Sequence, residues 1–377
     1  MIPFTEPYLT GKETQYIYQA ARSGPLSGNG VFTQKSQHFF EQRYGFGKSL
    51  LTTSCTAALE MAALLCDVQA GDEVIMPAYT FVSTANAFVL RGAKIVFVDS
   101  RPDRPGMDED AIEALINART KVIVPVHYAG VACDMDKIMA LADQYRLWVV
   151  EDAAQAVDSF YTGKDGIKKA LGSIGHLAAF SFHETKNVMA GEGGMLVVND
   201  ERLKARAEII WEKGTNRAAF FRGEVEKYGW LDVGSSFSPS EITAAFLWGQ
   251  LENLDAIQLQ RTRHWAAYHD GLQQWVNQLG IQLPLIPAFA TNNAHIFYLV
   301  CRSLQQRAEL LRLLRENGVQ AVFHYQSLHN SPFYLEKHDG RALPESERYA
   351  DCLVRLPMFF ELDVQEVIAR LIGNVQF

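Results

Sequence analysis

Between residues 50 and 200, short apolar runs rich in β-branched residues alternate with segments of helical pattern. The apolar runs cover residues 73–76, 94–98, 121–126, 147–150 and 177–182, and the helical segments cover residues 56–66, 83–91, 109–118 and 135–145. Strands that are apolar throughout and separated by helices are typical of a parallel sheet buried on both faces. The chain is therefore predicted to be an α/β protein built on a mostly parallel sheet.

Residues with polar, aromatic or reactive side chains follow several of these predicted strands. The first strand is followed by Phe81, the third by His127, the fourth by Asp152 and Gln155, and the fifth by Lys186. In open α/β sheets the ligand site lies beyond the carboxyl ends of the strands. We therefore expect aromatic, acidic, amide and amine groups to converge at one rim of the sheet.

Lys186 lies in a strand–loop–strand segment. The apolar run gives way to three polar residues, Lys186 follows, and a glycine turn at residues 191–194 leads into a second apolar run. A lysine beside a buried strand is poorly solvated, which disfavours its charged form and makes it a better nucleophile. A solvated loop lysine without a chemical role is the alternative that this segment alone leaves open.

Small polar residues stand at the start of the helical segment 56–66. They are Ser54, Cys55 and Thr56. Hydroxyl residues at this position commonly cap a helix. The same position also binds phosphate, because it combines free backbone N–H groups with the positive end of the helix dipole. Both interpretations stay open for this segment alone.

The charge and the cysteine pattern exclude several classes of protein. The net charge is -8 and no block rich in Lys and Arg occurs, which argues against a surface for nucleic acid or anionic membranes. No apolar run approaches the roughly 20 residues that span a bilayer, and the first residues lack the pattern of a secretory signal. The five cysteines are scattered and offer neither a disulfide framework nor a zinc spacing, so no metal site is predicted. We expect a reduced, cytoplasmic protein.

A chain of 377 residues is long enough for two domains, and we predict one at residues 1–254 and a smaller α+β domain at residues 255–377. A helix at residues 241–273, beginning near Pro239 with Ser238 as its N-cap, is expected to connect them. The smaller domain is predicted to contain strands at residues 281–283, 295–301 and 320–325 and helices at residues 304–317, 345–351 and 364–372.

A long loop at residues 213–236 precedes the connecting helix. It carries four basic and four aromatic side chains, namely Lys213, Arg217, Arg222, Lys227, Phe220, Phe221, Tyr228 and Trp230. Long loops in compact domains are usually functional or disordered, and a loop rich in aromatic residues is rarely disordered. This loop is therefore a candidate for binding a nucleotide diphosphate, with a solvated surface loop as the alternative.

Together, the groups at the rim of the sheet fit pyridoxal 5'-phosphate (PLP). The amine of Lys186 would form a Schiff base with the aldehyde, and the carboxylate of Asp152 would hold the ring nitrogen protonated. Phe81 would stack on the ring, and the helix start at Ser54 would take the phosphate. Each residue also has an ordinary interpretation as a cap or as core packing, but their order along one parallel sheet favours the cofactor.

Several motifs resemble those of the DegT/DnrJ family of nucleotide-sugar aminotransferases. They are SFHETKN at residues 181–187 with GEGG at 191–194, TSCTAAL at 53–59, PAYTF at 77–81, VEDAAQ at 150–155 and VFHY at 322–325. These motifs occur in a fixed order, and the resemblance extends over essentially the whole chain. It implies the aspartate-aminotransferase fold (PLP-dependent transferase fold type I), with a mostly parallel seven-stranded sheet and a smaller C-terminal domain.

The resemblance also implies roles for individual residues. Lys186 is expected to be the catalytic lysine, and Asp152 is expected to pair with the ring nitrogen. The residues expected to contact the cofactor are Ser54, Cys55, Thr56, Phe81, Asp152, Gln155, Ser181, Lys186 and Ser236. Ser236 stands where family members supply an asparagine to the phosphate of the neighbouring subunit. This implies a homodimer with shared active sites.

Within the family, residues 60–98 most resemble the WecE branch. This implies transfer of an amino group from L-glutamate to C4 of dTDP-4-keto-6-deoxy-D-glucose, giving dTDP-4-amino-4,6-dideoxy-D-galactose. The residues expected to contact the substrate are Tyr325, His329, Tyr334 and, in the basic loop, Arg217. Four alternative functions stay open. They are formation of the gluco C4 epimer, amination at C3 of the sugar, a PLP-dependent sugar dehydratase and a non-catalytic cofactor-binding regulator. Lys186 argues against the dehydratase, in which histidine replaces the lysine.

Overall fold

The structure is a computed structural model that describes residues 1–22 and 24–374. Its α-helices are α1 (Glu13–Arg22), α2 (Val31–Tyr44), α3 (Cys55–Leu65), α4 (Val82–Val89), α5 (Met135–Tyr145), α6 (Glu201–Trp211), α7 (Arg217–Phe221), α8 (Glu241–Leu251), α9 (Leu254–Leu279), α10 (Leu304–Glu316), α11 (Pro344–Cys352) and α12 (Val364–Asn374). Its strands are β1 (Ser49–Thr52), β2 (Glu73–Pro77), β3 (Lys94–Val98), β4 (Thr120–Ile123), β5 (Trp148–Asp152), β6 (Phe160–Thr162), β7 (Lys168–Ala170), β8 (Leu177–Ser181), β9 (Gly194–Val198), β10 (Phe297–Val300), β11 (Val322–Phe323) and β12 (Leu353–Leu356).

A seven-stranded sheet forms the centre of the larger part of the chain, in the order β1-β9-β8-β5-β4-β2-β3. Strands β3, β2, β4, β5 and β8 run parallel, whereas β9 pairs antiparallel with both β8 and β1. Every residue of β1, β2, β8 and β9 is buried. The prediction of a mostly parallel, seven-stranded sheet is confirmed.

Helices cover both faces of this sheet, and a separate apolar core lies on each face. One core joins α2, α5 and α8 to the sheet and includes Phe40 and Phe182, whose rings stack with centroids 5.4 Å apart. The other core joins α3, α4 and α6 and includes Trp211, whose indole donates to the carbonyl of Leu51 at 2.7 Å. The two cores hold the ends of the strands in fixed positions, so loops at those ends can carry a precise site.

A smaller antiparallel sheet, in the order β10-β12-β11, packs with α9, α10 and α12 around a third core. Helix α9 begins at Leu254, where the domain boundary was predicted. The first residues of the chain also lie beside this sheet, because the amide of Ile2 donates to Gly318 O at 2.7 Å. The division at residues 254 and 255 therefore stays a prediction. Across residues 1–22 and 24–374, no helix has both the length and the apolar character needed to span a membrane.

The predicted helix at residues 109–118 is wrong. This segment contains only a short 3-10 turn, Glu113–Leu115. The buried carboxylate of Glu109 accepts from Arg101 at 3.0 Å and from the amide of Asp134 at 2.8 Å. These tertiary bonds fix the start of the segment in a non-helical path, which the local pattern could not reveal.

The elements around the connecting helix also differ from the prediction. The helix is interrupted between α8 and α9, and its N-cap is Ser240, whose hydroxyl accepts from the amide of Thr243, rather than Ser238. The segment at residues 281–283 forms only an isolated bridge between Gln282 and Val300. Strand β12, the central strand of the small sheet, was not predicted from the sequence. A single arginine, Arg355, interrupts its apolar run.

Candidate active site

A cavity of about 520 Å³ lies at the carboxyl ends of β5 and β8, where the small sheet faces the large one. All but one of the residues predicted to contact the cofactor line this cavity. They are Ser54, Cys55, Thr56, Phe81, Asp152, Gln155, Ser181 and Lys186, and the predicted substrate residue Tyr325 lines it with them. The structure thus brings together side chains as far apart in sequence as Ser54 and Tyr325.

The loop that carries Lys186 is a closed reversal between β8 and β9. The amide of Phe182 donates to Gly193 O at 2.8 Å, and the amide of Ala190 donates back to Phe182 O at 2.7 Å. The next residue after the lysine, Asn187, donates to Gln258 Oε1 at 2.7 Å and accepts from His295 Nδ1 at 2.9 Å. These bonds hold the backbone of Lys186 in place, so that its amine reaches the cavity from a fixed base.

The environment of Lys186 favours the neutral amine. The pKa of Lys186 is lowered to about 8, chiefly by burial and also by the positive charge of Arg355, against the opposing influence of Cys55 and Asp152. A neutral amine is the nucleophilic form of lysine. A substantial fraction of Lys186 is therefore ready to react near neutral pH, which an ordinary solvated lysine is not.

Asp152 ends β5 with its carboxylate in a fixed orientation. Its Oδ2 accepts from the hydroxyl of Thr84 at 2.7 Å, and its Oδ1 accepts from the amide of Ala154 at 3.1 Å. Burial raises the pKa of this carboxyl, and the two hydrogen bonds and the positive charge of Lys186 oppose that rise. No salt bridge within the described residues neutralises it. A buried carboxylate of this kind would be stabilised by a positively charged ring nitrogen.

The start of α3 forms a cradle for an anion. Ser54 caps the helix, because its hydroxyl accepts from the amide of Ala57 at 3.1 Å, while Thr56 Oγ1 donates to Ser83 Oγ at 2.8 Å. The amides of the first helical turn have no acceptor within the helix. The capping interpretation of Ser54 is therefore confirmed, and it leaves room for the second interpretation, since N–H groups and hydroxyls at a helix start suit a phosphate.

Gly194 allows the chain to pass directly over this helix start. A Cβ atom at Gly194 would lie 2.3 Å from the carbonyl carbon of Ser54 and 2.4 Å from the amide nitrogen of Cys55. Only glycine permits such an approach. The lysine loop and the anion cradle are thus packed against each other at one wall of the cavity, together with Ser181.

Gln155 and Tyr325 also line the cavity and are joined by a hydrogen bond. Gln155 Oε1 accepts from the amide of Ala129 at 2.6 Å, and its Nε2 donates to the hydroxyl of Tyr325 at 3.1 Å. Phe81 lies at the mouth, 55% exposed, with its ring centroid 6.0 Å from that of Tyr325. These contacts place an amide, a phenol and an exposed ring around the space between Lys186 and Asp152.

Two of the predicted substrate residues, His329 and Tyr334, lie outside the cavity. The ring of Tyr334 is buried in the core, and its hydroxyl accepts from the amide of Ile95 at 2.5 Å. His329 is buried as well, with its Nε2 3.1 Å from Glu347 Oε1. Both side chains pack against Phe97 of β3, which the resemblance alone could not reveal.

Arg217 and Ser236 lie on the surface of the chain, away from the cavity. Arg217 begins α7 and lies 3.7 Å from Glu212 Oε2, and Ser236 forms an isolated bridge with Glu212. Neither contacts the cavity of the same chain. Ser236 is exposed, so its predicted contact with a neighbouring subunit stays a prediction.

Several cavity residues were not identified from the sequence. They are Ser83, Thr84, His295 and Arg355, whereas His127 was expected at this rim of the sheet. Ser83 and Thr84 lie in the first turn of a helix that follows a buried strand, which is the same signal that identified Ser54. Arg355 is the single charged residue in an apolar run, which is a second usable signal.

Comparisons with known proteins place this geometry in a family. Residues 7–376 match the DegT/DnrJ/EryC1/StrS aminotransferase family. The fold is similar to TlmJ, an aminotransferase of Streptoalloteichus hindustanus, with 29% identity, a TM-score of 0.88 and 98% of each chain covered. It is also similar to DesV of S. venezuelae, with 28% identity, a TM-score of 0.87, 98% of this chain and 97% of that chain covered. The PLP form of Spr1654 from Streptococcus pneumoniae is 25% identical, with a TM-score of 0.88, 99% of this chain and 97% of that chain covered.

The residues present fit PLP, since the cavity offers an amine, a buried carboxylate and an anion cradle around one space. The family match extends over nearly the whole chain rather than over one domain. The chain therefore belongs to the DegT/DnrJ/EryC1/StrS aminotransferase family and is a PLP-dependent sugar aminotransferase.

Proposed function

We propose that this enzyme transfers the amino group of L-glutamate to C4 of dTDP-4-keto-6-deoxy-D-glucose. The products are dTDP-4-amino-4,6-dideoxy-D-galactose and 2-oxoglutarate. The observation that carries the transamination is the poorly solvated amine of Lys186 in one cavity with the buried carboxylate of Asp152. The choice of sugar is supported by the resemblance of residues 60–98 to the WecE branch.

The protein's own residues hold the cofactor and move the protons. When bound, PLP supplies a carbonyl that accepts the amino group and a ring that accepts electrons from the substrate carbon. The phosphate of PLP would be held by the amides at the start of α3 and by the hydroxyls of Thr56, Ser83 and Ser181. The carboxylate of Asp152 would keep a proton on the ring nitrogen, since the two hydrogen bonds to Asp152 orient its oxygens.

Lys186 Nζ would act as base and acid in turn. It removes the proton from the α-carbon of the donor and later delivers a proton to C4 of the sugar. One amine can serve both transfers, because its pKa of about 8 lets both protonation states exist near neutral pH. The position of the amine relative to the two faces of C4 decides whether the galacto or the gluco product forms.

The basic and aromatic loop supports a homodimer as the working unit. Trp230 is 84% exposed and Phe221 is 69% exposed, and Tyr228, Leu231 and Val233 are exposed beside them. Monomeric proteins rarely expose a contiguous apolar surface of this kind. A second copy would bury it, and Ser236 at the end of the loop could then reach the partner's cofactor phosphate.

The test is product analysis by NMR after incubation of the PLP-loaded enzyme with L-glutamate and dTDP-4-keto-6-deoxy-D-glucose. We expect an axial amine at C4 and an equal amount of 2-oxoglutarate. An equatorial C4 amine would support the gluco epimer, and an amine at C3 would support the sugar 3-aminotransferase. Dehydration of the substrate without formation of an amino sugar would contradict the proposal. PLP binding without any amine transfer would also contradict it.

A further inference from the structure

His295 is a buried histidine in the segment that precedes β10. It lines the cavity together with Lys186. Its backbone is held on both sides, because its amide donates to Asn293 Oδ1 at 3.0 Å and its carbonyl accepts from Arg261 at 2.6 Å. The imidazole is therefore attached to a part of the chain that cannot easily shift.

The hydrogen bonds of Asn187 decide which ring nitrogen of His295 carries the hydrogen. The side-chain amide of Asn187 donates to Gln258 Oε1 at 2.7 Å and to Asn293 O at 2.8 Å, which uses both of its hydrogens. Asn187 Oδ1 can only accept, and His295 Nδ1 lies 2.9 Å from it. Nδ1 therefore carries the hydrogen, and in the neutral ring Nε2 is an acceptor with a free lone pair.

The surroundings of His295 keep this ring neutral. Burial lowers its pKa well below the usual 6.5. The positive charges of four neighbours act in the same direction, namely Lys186, Arg261, Arg355 and His324. A second proton would have to bind at Nε2, so this nitrogen stays unprotonated near neutral pH.

Nε2 of His295 has no hydrogen-bond donor within the part of the chain that the structure describes. His127, which lines the same cavity, differs in this respect, since its ring nitrogens lie 2.9 Å from Glu151 Oε2 and 3.3 Å from the amide of Cys133. A buried acceptor without a donor costs free energy. The free lone pair of His295 therefore suits a donor that is present only during the reaction.

The amine of Lys186 is the donor that the structure brings to this nitrogen. Lys186 directly precedes Asn187, whose side chain holds the imidazole, so one short segment positions both groups. Among the charged groups that act on His295, Lys186 has the largest influence. Its amine is free of the cofactor whenever a substrate is attached there, and it must then hold a proton in a poorly solvated site.

We propose that Nε2 of His295 accepts a hydrogen bond from the ammonium form of Lys186, and so stabilises and aims the proton that this lysine carries during the reaction. His295 is thus a positioning residue that acts through Lys186. The inference rests on the proposed role of Lys186 as base and acid, and the identity of the sugar does not enter it. Without such an acceptor, burial and the charge of Arg355 would leave the ammonium sparsely populated.

Two variants separate the roles of the two ring nitrogens. His295→Asn retains a donor for Asn187 Oδ1 but has no atom in the place of Nε2, whereas His295→Gln offers an acceptor there and loses that donor. The control is His264→Asn, because His264 is also buried, with its Nε2 3.0 Å from Phe360 O, but does not line the cavity. The pKa of Lys186 is measured in cofactor-free protein from the pH dependence of PLP incorporation.

We expect His295→Asn to lower the pH midpoint of PLP incorporation by about one unit, because the ammonium of Lys186 loses its acceptor and the neutral amine does not need one. His295→Gln and His264→Asn should keep the midpoint of the unmodified protein. In the PLP-loaded enzyme, His295→Asn should lower kcat by about tenfold in both half-reactions, since Lys186 moves the proton in each. The KM values for L-glutamate and the keto sugar should not change.

NMR of protein labelled with ¹⁵N-histidine gives a second readout that involves neither PLP nor turnover. The ring signals that are absent from either His295 variant belong to His295. In the unmodified, cofactor-free protein we expect them to show a hydrogen on Nδ1 and none on Nε2 between about pH 6 and 9, because the positive neighbours disfavour a second proton.

An unchanged midpoint in His295→Asn would overturn the inference, and so would a raised one, because the ring would then act as a cation. A hydrogen on Nε2 would also overturn it. Equal effects of the two His295 variants would assign the residue to packing or to the bond with Asn187, and a loss confined to the KM for the sugar would assign Nε2 to the substrate, so either result overturns it.

The proposed function fails separately, if the unmodified enzyme shows the expected midpoint and ring hydrogen but forms no amino sugar. A cofactor bound to a lysine other than Lys186 would overturn both.

Discussion

Lys186 and Asp152 derive their chemical properties from burial. The same desolvation lowers the pKa of the lysine and raises that of the aspartate, because it disfavours the charged form of each. Each group is therefore destabilised in its usual ionised state until a ligand supplies the missing charge. A cofactor with a carbonyl for the amine and a protonated nitrogen for the carboxylate satisfies both at once.

The pKa of Lys186 predicts how cofactor binding depends on pH. In cofactor-free protein, the rate of PLP incorporation should rise about tenfold per pH unit below the pKa, because only the neutral amine attacks the aldehyde. The rate should level off above pH 8, where the amine is mostly neutral. Stopped-flow absorbance measures this rate, with butylamine in solution as the reference. A rate that keeps rising as steeply as that of butylamine would show that Lys186 is not desolvated.

Replacement of Asp152 tests the second half of this pair. We expect Asp152→Asn to lower kcat by about 10²–10³-fold, because a neutral amide cannot hold a proton on the ring nitrogen. The stability of the cofactor-free protein at pH 7 should not fall, since burial disfavours the carboxylate that the variant removes. Steady-state kinetics and urea unfolding measure the two effects. A variant with normal kcat would remove Asp152 from the mechanism.

At the scale of elements, the site depends on the contact between the lysine loop and the start of α3. Gly194 begins β9 and pairs with Thr52 of β1 and Ser181 of β8. The lysine and the anion cradle therefore share one rigid frame of three strands. A shift of this frame would separate the two groups that hold the cofactor.

The variant Gly194→Ala tests this contact. Its Cβ would collide with the backbone of Ser54 and Cys55, so we expect a loss of about 1–3 kcal/mol in the free energy of unfolding. PLP affinity should fall as well, because the helix start moves away from the loop. Gly193→Ala is the control, since its Cβ would meet Ala190 and Phe182 at an ordinary 3.4 Å. Equal stability and PLP affinity of the two variants would contradict the account.

Much of the seven-stranded sheet and its helices could be predicted from the sequence, and the elements around the three-stranded sheet less well. Fully buried strands carry their signal locally, so all five apolar runs between residues 73 and 182 correspond to strands. Strand β12 was not predicted because Arg355 interrupts its apolar pattern. The false helix at residues 109–118 arose because the bonds of Glu109 to Arg101 and Asp134 are tertiary.

The candidate site could be predicted where its residues follow strands, and less well elsewhere. Lys186, Asp152 and Ser54 follow a strand or start a helix, and these positions converge by topology alone. The positions of His329 and Tyr334 could not be predicted, because they are set by tertiary contacts with β3 that no local pattern encodes. Arg355 could be placed only after β12 was known to lie in the middle of its sheet.

At the scale of the whole molecule, the exposed aromatic loop predicts an assembly. We expect the enzyme to be a dimer, and we expect Phe221→Asp combined with Trp230→Asp to dissociate it, because two charges would be buried without partners. Activity should fall with the dimer, since each site would lose the partner's Ser236. Analytical ultracentrifugation measures the mass, and Leu304→Asp, at an exposed position on α10, is the control. A monomeric unmodified enzyme with full activity would contradict this prediction.

The central claim is that the amine of Lys186 reaches the aldehyde carbon of the cofactor. Borohydride reduction of the PLP-loaded enzyme, followed by peptide mapping with mass spectrometry, tests it most directly. We predict that the pyridoxyl label is found on Lys186, and that Lys186→Ala folds normally but carries no label and forms no amino sugar. A label on another lysine, or amino sugar formed by Lys186→Ala, would contradict the account.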